Sequence, residues 1–260
     1  MITAIRAELL KIRTTRLAAA MLALTAGLNG LVAVITAARA GSGGAYTVPA
    51  LDTTPGLRTV LTSGGFGLIL AAVFGAIVAS SEFRHKTATD TYLDEPNRLR
   101  VLTAKAAAAA AGGLVFGLAG TAVTTGTGLA FATARGYGLA LPAATIARDA
   151  AGVIVASGLL AAIGAGVGSL IRNQIGAVIV IFVWGFGIEQ ILGGLSRPAA
   201  AYLPYTAAAT LAGARGGEGM PQVPSGLSPL PPGVVAALLA GAGILIAAIA
   251  AITTVQRDIT

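Results

Sequence analysis

Cysteine is absent from this 260-residue chain, and histidine occurs once, at His85. The first absence excludes disulfides, thiol nucleophiles and thiolate metal sites; the second excludes paired-histidine chemistry and most imidazole-ligated metals. Charge is also scarce, since 10% of residues are Asp, Glu, Lys or Arg against about 25% in an ordinary soluble domain. Apolar residues make up 55% and the mean hydropathy is +0.84. So little polar surface cannot cover a water-soluble globule, and the chain is expected in a membrane.

Crossing a hydrocarbon core of about 30 Å takes roughly 20 helical residues. Six stretches qualify, near 17–38, 59–81, 106–132, 150–171, 175–195 and 234–255. Five carry no charge, the fifth in order is interrupted only by Glu189, and Arg172-Asn173-Gln174 is the polar turn between the fourth and fifth. The runs are continuous rather than alternating, which favours helices over a barrel. The first run covers 22 residues, longer than the 7 to 15 of a signal-peptide core, so it is read as an anchor rather than a cleaved leader.

Six spans put both termini on one side. Of the basic residues, Arg6, Lys11, Arg13, Arg16, Arg84, Lys86, Arg98, Arg100, Lys105, Arg172 and Arg257 fall with the termini, while Arg39, Arg58, Arg135, Arg148, Arg197 and Arg215 fall opposite. By the positive-inside rule the termini are cytoplasmic. The net charge of +7 is then topological, and nucleic acid is not expected as a partner.

In Met1–Arg16, helical spacing puts Ile2, Ile5, Leu9 and Ile12 on one face and Arg6, Arg13 and Arg16 toward the other. That pattern suits an interfacial helix on the inner leaflet. Gly113/Gly117 and Gly164/Gly168 form GxxxG spacings that permit close helix approach, without pointing to any particular partner helix. Between 196 and 232, seven prolines and a Gly-rich stretch indicate an irregular extracellular loop, with a short apolar helix within Ala199–Leu211.

Residues 82–105 hold most of the polar information. Two basic clusters flank a mildly acidic centre, and a short helix stopped by Pro96 is expected across the membrane face. Glu82, Phe83, Arg84, His85, Thr87, Thr91, Leu93, Pro96, Arg98, Arg100, Val101, Ala104 and Lys105 occupy the places of a motif E-[FY]-R-H-x-T-x-x-x-T-[FL]-L-x-x-P-x-R-x-R-[VL]-x-x-A-K. This stretch resembles the first cytoplasmic loop of the ABC-2 type permeases, six-span membrane subunits of bacterial ATP-binding cassette exporters. Lys86 departs from a frequent glycine, and Asp94-Glu95 add acidity. Glu8-Leu9-Leu10-Lys11 in the N-terminal segment and the proline of Tyr202-Leu203-Pro204-Tyr205 agree with that layout.

The resemblance implies a fold and a mechanism. The fold is all-α and integral to the membrane, one transmembrane domain over 1–260, with the interfacial helix at 1–16 and a coupling helix between spans 2 and 3. Glu82, Phe83, Arg84, His85, Thr87, Thr91, Tyr92, Leu93, Pro96 and Arg100 would couple to a separate ATPase subunit, present in two copies with ATP and Mg on it. The chain has no G-x-x-x-x-G-K-[ST] phosphate loop, so it is not an ATPase by itself. It is expected to bind no cofactor or metal of its own and to pair with a second permease copy, a homodimer first, in the bacterial cytoplasmic membrane.

Inside the spans, Phe182, Trp184, Phe186 and Glu189 are the substrate-cavity candidates. Glu189 invites either pairing, with Arg197 two turns on, or a cavity-lining role. Few charges along the path suit a hydrophobic or amphipathic cargo: a drug, an antibiotic, a lipid or a peptide. A secondary transporter or channel lacks coupling carboxylates here, and an intramembrane protease lacks an intramembrane histidine or an H-E-x-x-H. The alternatives are a non-transporting membrane anchor of a signalling or assembly complex and, behind it, a secondary transporter or channel.

Overall fold

The computed structural model describes residues 2–42, 48–85, 97–214, 223 and 227–255, and every regular element among them is helical. Among the described residues, six segments are long and apolar enough to cross a bilayer: Arg16–Arg39, Thr54–His85, Leu99–Ala134, Ala143–Ile171, Gln174–Leu195 and Pro232–Thr253. The chain is thus a multi-pass helical membrane protein, because only helices satisfy every backbone group within such continuous apolar runs.

Helix α1 (Ile2–Thr14) precedes span 1, α2 (Arg16–Arg39). Span 2 comes in two pieces, α3 (Thr54–Leu61) and α4 (Gly65–His85). Spans 3 and 4 are α5 (Arg98–Ala134) and α6 (Ala143–Ile171). Span 5 runs through α7 (Gln174–Phe182), a π-helical turn (Val183–Ile188) and α8 (Glu189–Leu195). Two short helices follow, α9 (Arg197–Ala200) and α10 (Pro204–Leu211), before span 6, α11 (Pro232–Val255).

The sequence suggests an unbroken second span over 59–81, but the helix stops at Leu61 and restarts at Gly65. The break falls on Thr62-Ser63-Gly64, where Thr62 and Ser63 turn their hydroxyls back onto the Arg58 and Val60 carbonyls and Gly64 adds a residue of low helix propensity. α3 is capped by Thr53, whose hydroxyl accepts from the Gly56 amide, and it is pinned to the next far-side loop by Thr54 donating to the Ala140 carbonyl at 2.8 Å. Arg58 of α3 bridges Asp149 of α6 at 2.7 Å. Arg135 closes the same end of the bundle by donating to the Ala38 and Ala40 carbonyls at the end of α2.

α4 and α6 form the centre. A Cβ on Gly75 would overlap the Ala161 carbonyl, and one on Gly164 the Ala72 carbonyl. Gly168 meets Ala76 in the same way, while Gly113 and Gly117 of α5 lie against Ser157 and Ile154 of α6. Both GxxxG pairs therefore serve packing within the chain, where close van der Waals contact drives association in lipid. Gly164→Ala should lower stability by about 1–3 kcal/mol, the usual cost of overpacking, whereas Gly241→Ala, which meets nothing within 4 Å, should be neutral. Thermal unfolding in detergent distinguishes the two, and equal midpoints would contradict this packing.

Candidate functional site

Four charged side chains meet where α1, the end of α4 and the start of α5 converge. Lys11 Nζ lies 2.8 Å from Glu8 Oε1 and 2.7 Å from Glu82 Oε1, and Lys105 Nζ lies 2.7 Å from Glu82 Oε1 and 3.4 Å from both Glu8 oxygens. Glu8, Glu82 and Lys105 are 6%, 7% and 3% exposed. Two carboxylates and two ammonium groups leave no net charge, the condition under which charges can be buried together. Glu82 stands four residues before segment 86–96 and Lys105 nine after it. The cluster therefore ties both flanks of that segment to one another and to α1.

Each member is placed by its helix. α1 turns Ile5, Glu8, Leu9 and Ile12 toward the bundle and leaves Ile2 and Arg6 exposed, so a carboxylate sits in the middle of its inner face. The Ala-rich stretch around Lys105 lets α5 run close to its neighbours: Ala104, Ala108 and Ala109 are buried. Asn97 begins α5 by accepting from the Arg100 amide at 3.1 Å, a side-chain cap on an otherwise orphaned donor.

A second contact steadies the end of α4. The Arg172 guanidinium lies 5.6 Å from the centre of the Phe83 ring, and Arg84 donates to Gln174 Oε1 at 3.2 Å. Arg172 holds a left-handed backbone, φ 57°, which lets the 172–174 turn fold back beside α4. His85 and Arg84 are exposed, as is Arg100. Thr87, Thr91, Tyr92, Leu93 and Pro96 lie outside the described residues, and so does the helix expected there.

Burial works to lower the pKa of Lys11, but hydrogen bonds and charges from Glu8 and Glu82 outweigh it and hold the ammonium above its ordinary 10.5. A lysine that binds its proton more tightly when folded stabilises the fold below about pH 10.5 and loses that contribution as pH rises through its higher folded value. The unfolding midpoint should hold steady around neutral pH and fall above about pH 10.5. Lys11→Ala should flatten that alkaline fall; an unchanged pH profile in the variant would remove Lys11 from the balance.

Glu189 occupies the other end of the bundle and is 1% exposed. Its Oε1 accepts from Trp184 Nε1 at 2.7 Å and from the Tyr205 amide at 2.9 Å; its Oε2 accepts from the Thr206 amide at 2.9 Å and the Thr206 hydroxyl at 3.1 Å. The carboxylate caps the first turn of α10, whose leading amides have no partner within the helix. Arg197 is not among these partners. A cavity lies beside it, lined in part by Trp184 and Glu189. Phe182 and Phe186 stand off that cavity, stacked 5.9 Å apart, with Phe186 also 5.7 Å from Phe66.

Lys11, Glu8 and Lys105 complete the charge cluster although sequence reasoning singled out only Glu82 of the four as a coupling residue. The available signal was their sign: a glutamate beside a basic cluster in each segment, Glu8 between Arg6 and Lys11 and Glu82 before Arg84. Among the described residues no group of three or more His, Cys, Asp or Glu could hold a metal. Compared with protein-family models and with curated proteins, the sequence gives no match.

Proposed function

We propose that this chain is the membrane-spanning permease subunit of an ATP-driven exporter, working as a pair and powered by ATPase subunits on separate chains. The observation that carries this reading is the cluster in which buried Glu8, Glu82 and Lys105 meet the half-exposed Lys11. It joins both ends of segment 86–96, the middle of the motif-bearing stretch, to α1 and to spans 2 and 3. A partner that pulls on such a segment moves two spans and the N-terminal helix together, because a buried ion cluster is costly to open.

The closely packed α4 and α6 then act as the stiff body that carries the motion through the bilayer. At the far end, the Arg58–Asp149 bridge and the Glu189-capped α10 are the elements that would part to release cargo. The apolar spans suit a hydrophobic or amphipathic cargo, and the excess of basic residues on the side of the termini supports a cytoplasmic location for both. ATP and Mg would bind the partner, since this chain has no phosphate loop.

Co-expression with an ATP-binding cassette ATPase, sought first among the neighbouring genes, tests the reading. A stable complex and ATP hydrolysis dependent on both chains are expected, and replacing Thr87–Leu93 with a Gly/Ser linker should abolish the complex while leaving membrane insertion intact. Persistence of the complex would refute the coupling role of this segment, and an unaltered chain that forms no complex and supports no ATP hydrolysis would favour a plain membrane anchor. In the cysteine-free background, Ser42→Cys should react with an impermeant maleimide from outside and Thr260→Cys only after permeabilisation. The reverse pattern would invert the orientation.

A further inference from the structure

Spans 5 and 6 both lie against span 4, and between them is a cavity of about 210 Å³. Ile69 of α4 with Ile163 and Val167 of α6 form its floor; Val180 and Trp184 form one wall and Ile246 of α11 the other. The polar groups at its edge are already engaged. Glu189 gives both oxygens to Trp184 and the start of α10, and Tyr205 donates its hydroxyl to the Gly65 carbonyl at 2.6 Å.

A buried water needs two to four polar partners, whereas an apolar cavity of about 150 Å³ stays dry and takes up an apolar molecule such as benzene. The chemistry of this cavity therefore selects an apolar occupant. Its depth narrows the choice. Val180 and Glu189 lie six and fifteen residues beyond Gln174, about 9 and 22 Å along a helix rising 1.5 Å per residue. The cavity thus straddles the middle of a hydrocarbon layer about 30 Å thick, where the bilayer supplies the ends of acyl chains. Val180 and Trp184 are 45% and 40% exposed, so the opening faces sideways, and a lipid can insert one chain while its headgroup stays at the interface.

We propose that this crevice holds one acyl chain of a bilayer phospholipid as a bound lipid, distinct from the lipids that merely surround the protein. The inference does not rest on the exporter reading: a bound lipid would remain if no ATPase partner were found, and an exporter would remain if the crevice were empty.

Trp184 is the only tryptophan in the chain and forms part of the crevice wall, so its fluorescence reports occupancy. The full chain in dodecyl maltoside micelles is titrated with phosphatidylcholine carrying bromine on its acyl chains. Quenching should saturate near one lipid per chain and be reversed by excess unbrominated phosphatidylcholine. Val167→Phe, which fills the crevice without touching the Trp184–Glu189 hydrogen bond, should remove the saturable step, while Leu31→Phe on the exposed face of α2 should keep it. Should Val167→Phe fail to fold, Val180→Phe at the half-exposed rim makes the same test. Quenching in the unaltered chain that merely follows the lipid-to-detergent ratio overturns the proposal. So does saturable quenching by a brominated free fatty acid that phosphatidylcholine cannot displace, which would assign the crevice to a different ligand.

Discussion

Lys105→Ala should destabilise the folded chain by about 3–5 kcal/mol, the cost of removing one partner from a buried ion pair. The reason lies in what stays behind. Glu8 and Glu82 would share a single cation, Lys11, whose side chain is half-exposed, and one carboxylate would lose its only buried counter-charge. A lower unfolding midpoint in detergent is the first readout. Loss of ATPase association is the second, because the flank of segment 86–96 would no longer be tied to α1 and span 2.

Stability and coupling can be separated. Replacing Glu82 and Lys105 together with methionine leaves Glu8 paired with Lys11 and puts two apolar side chains of suitable length into the vacated volume. Such replacements of buried ion pairs are often neutral or stabilising by about 1–4 kcal/mol. The double variant should therefore recover the unfolding midpoint that Lys105→Ala loses. If it also recovers full ATPase coupling, the charges serve the fold alone, and the argument that they link the segment to the spans fails.

The six spans are legible because a run of about 20 apolar residues has few alternatives, and the polar turn at 172–174 marks a boundary by composition alone. The inner face of α1 is half legible. Spacing identifies Ile5, Leu9 and Ile12, but Glu8 lies among them and counts as an error in a purely apolar pattern. Its partners are Lys105, 97 residues away, and through Lys11 also Glu82, and no local periodicity encodes a pairing of that range. The break in span 2 is hidden for a different reason. Average hydropathy passes over Thr62-Ser63-Gly64, since the helix ends there through hydroxyl-to-carbonyl bonds that cost little polarity.

Glu189 shows the same limit at the opposite end of the molecule, and it carries the second large prediction. Read along the sequence, Glu189 suggests either a pairing with Arg197 or a cavity-lining role; in the fold, its donors are Trp184 and the first amides of a helix sixteen residues on. Glu189→Gln keeps one acceptor oxygen but turns an NH₂ group toward the Thr206 amide, leaving a buried N–H unsatisfied at a cost of about 1–3 kcal/mol. Glu189→Leu removes the acceptor from all four donors and should lose at least about 3 kcal/mol on the same basis. Because Trp184 donates directly to this carboxylate, both variants should also shift the emission of the only tryptophan, more for leucine than for glutamine. Transport and folding should decline together, since every carboxylate hydrogen bond is spent on Trp184 and the start of α10. A Glu189→Gln chain that folds with an unchanged midpoint yet has lost transport would refute the capping role and return the carboxylate to the cargo path.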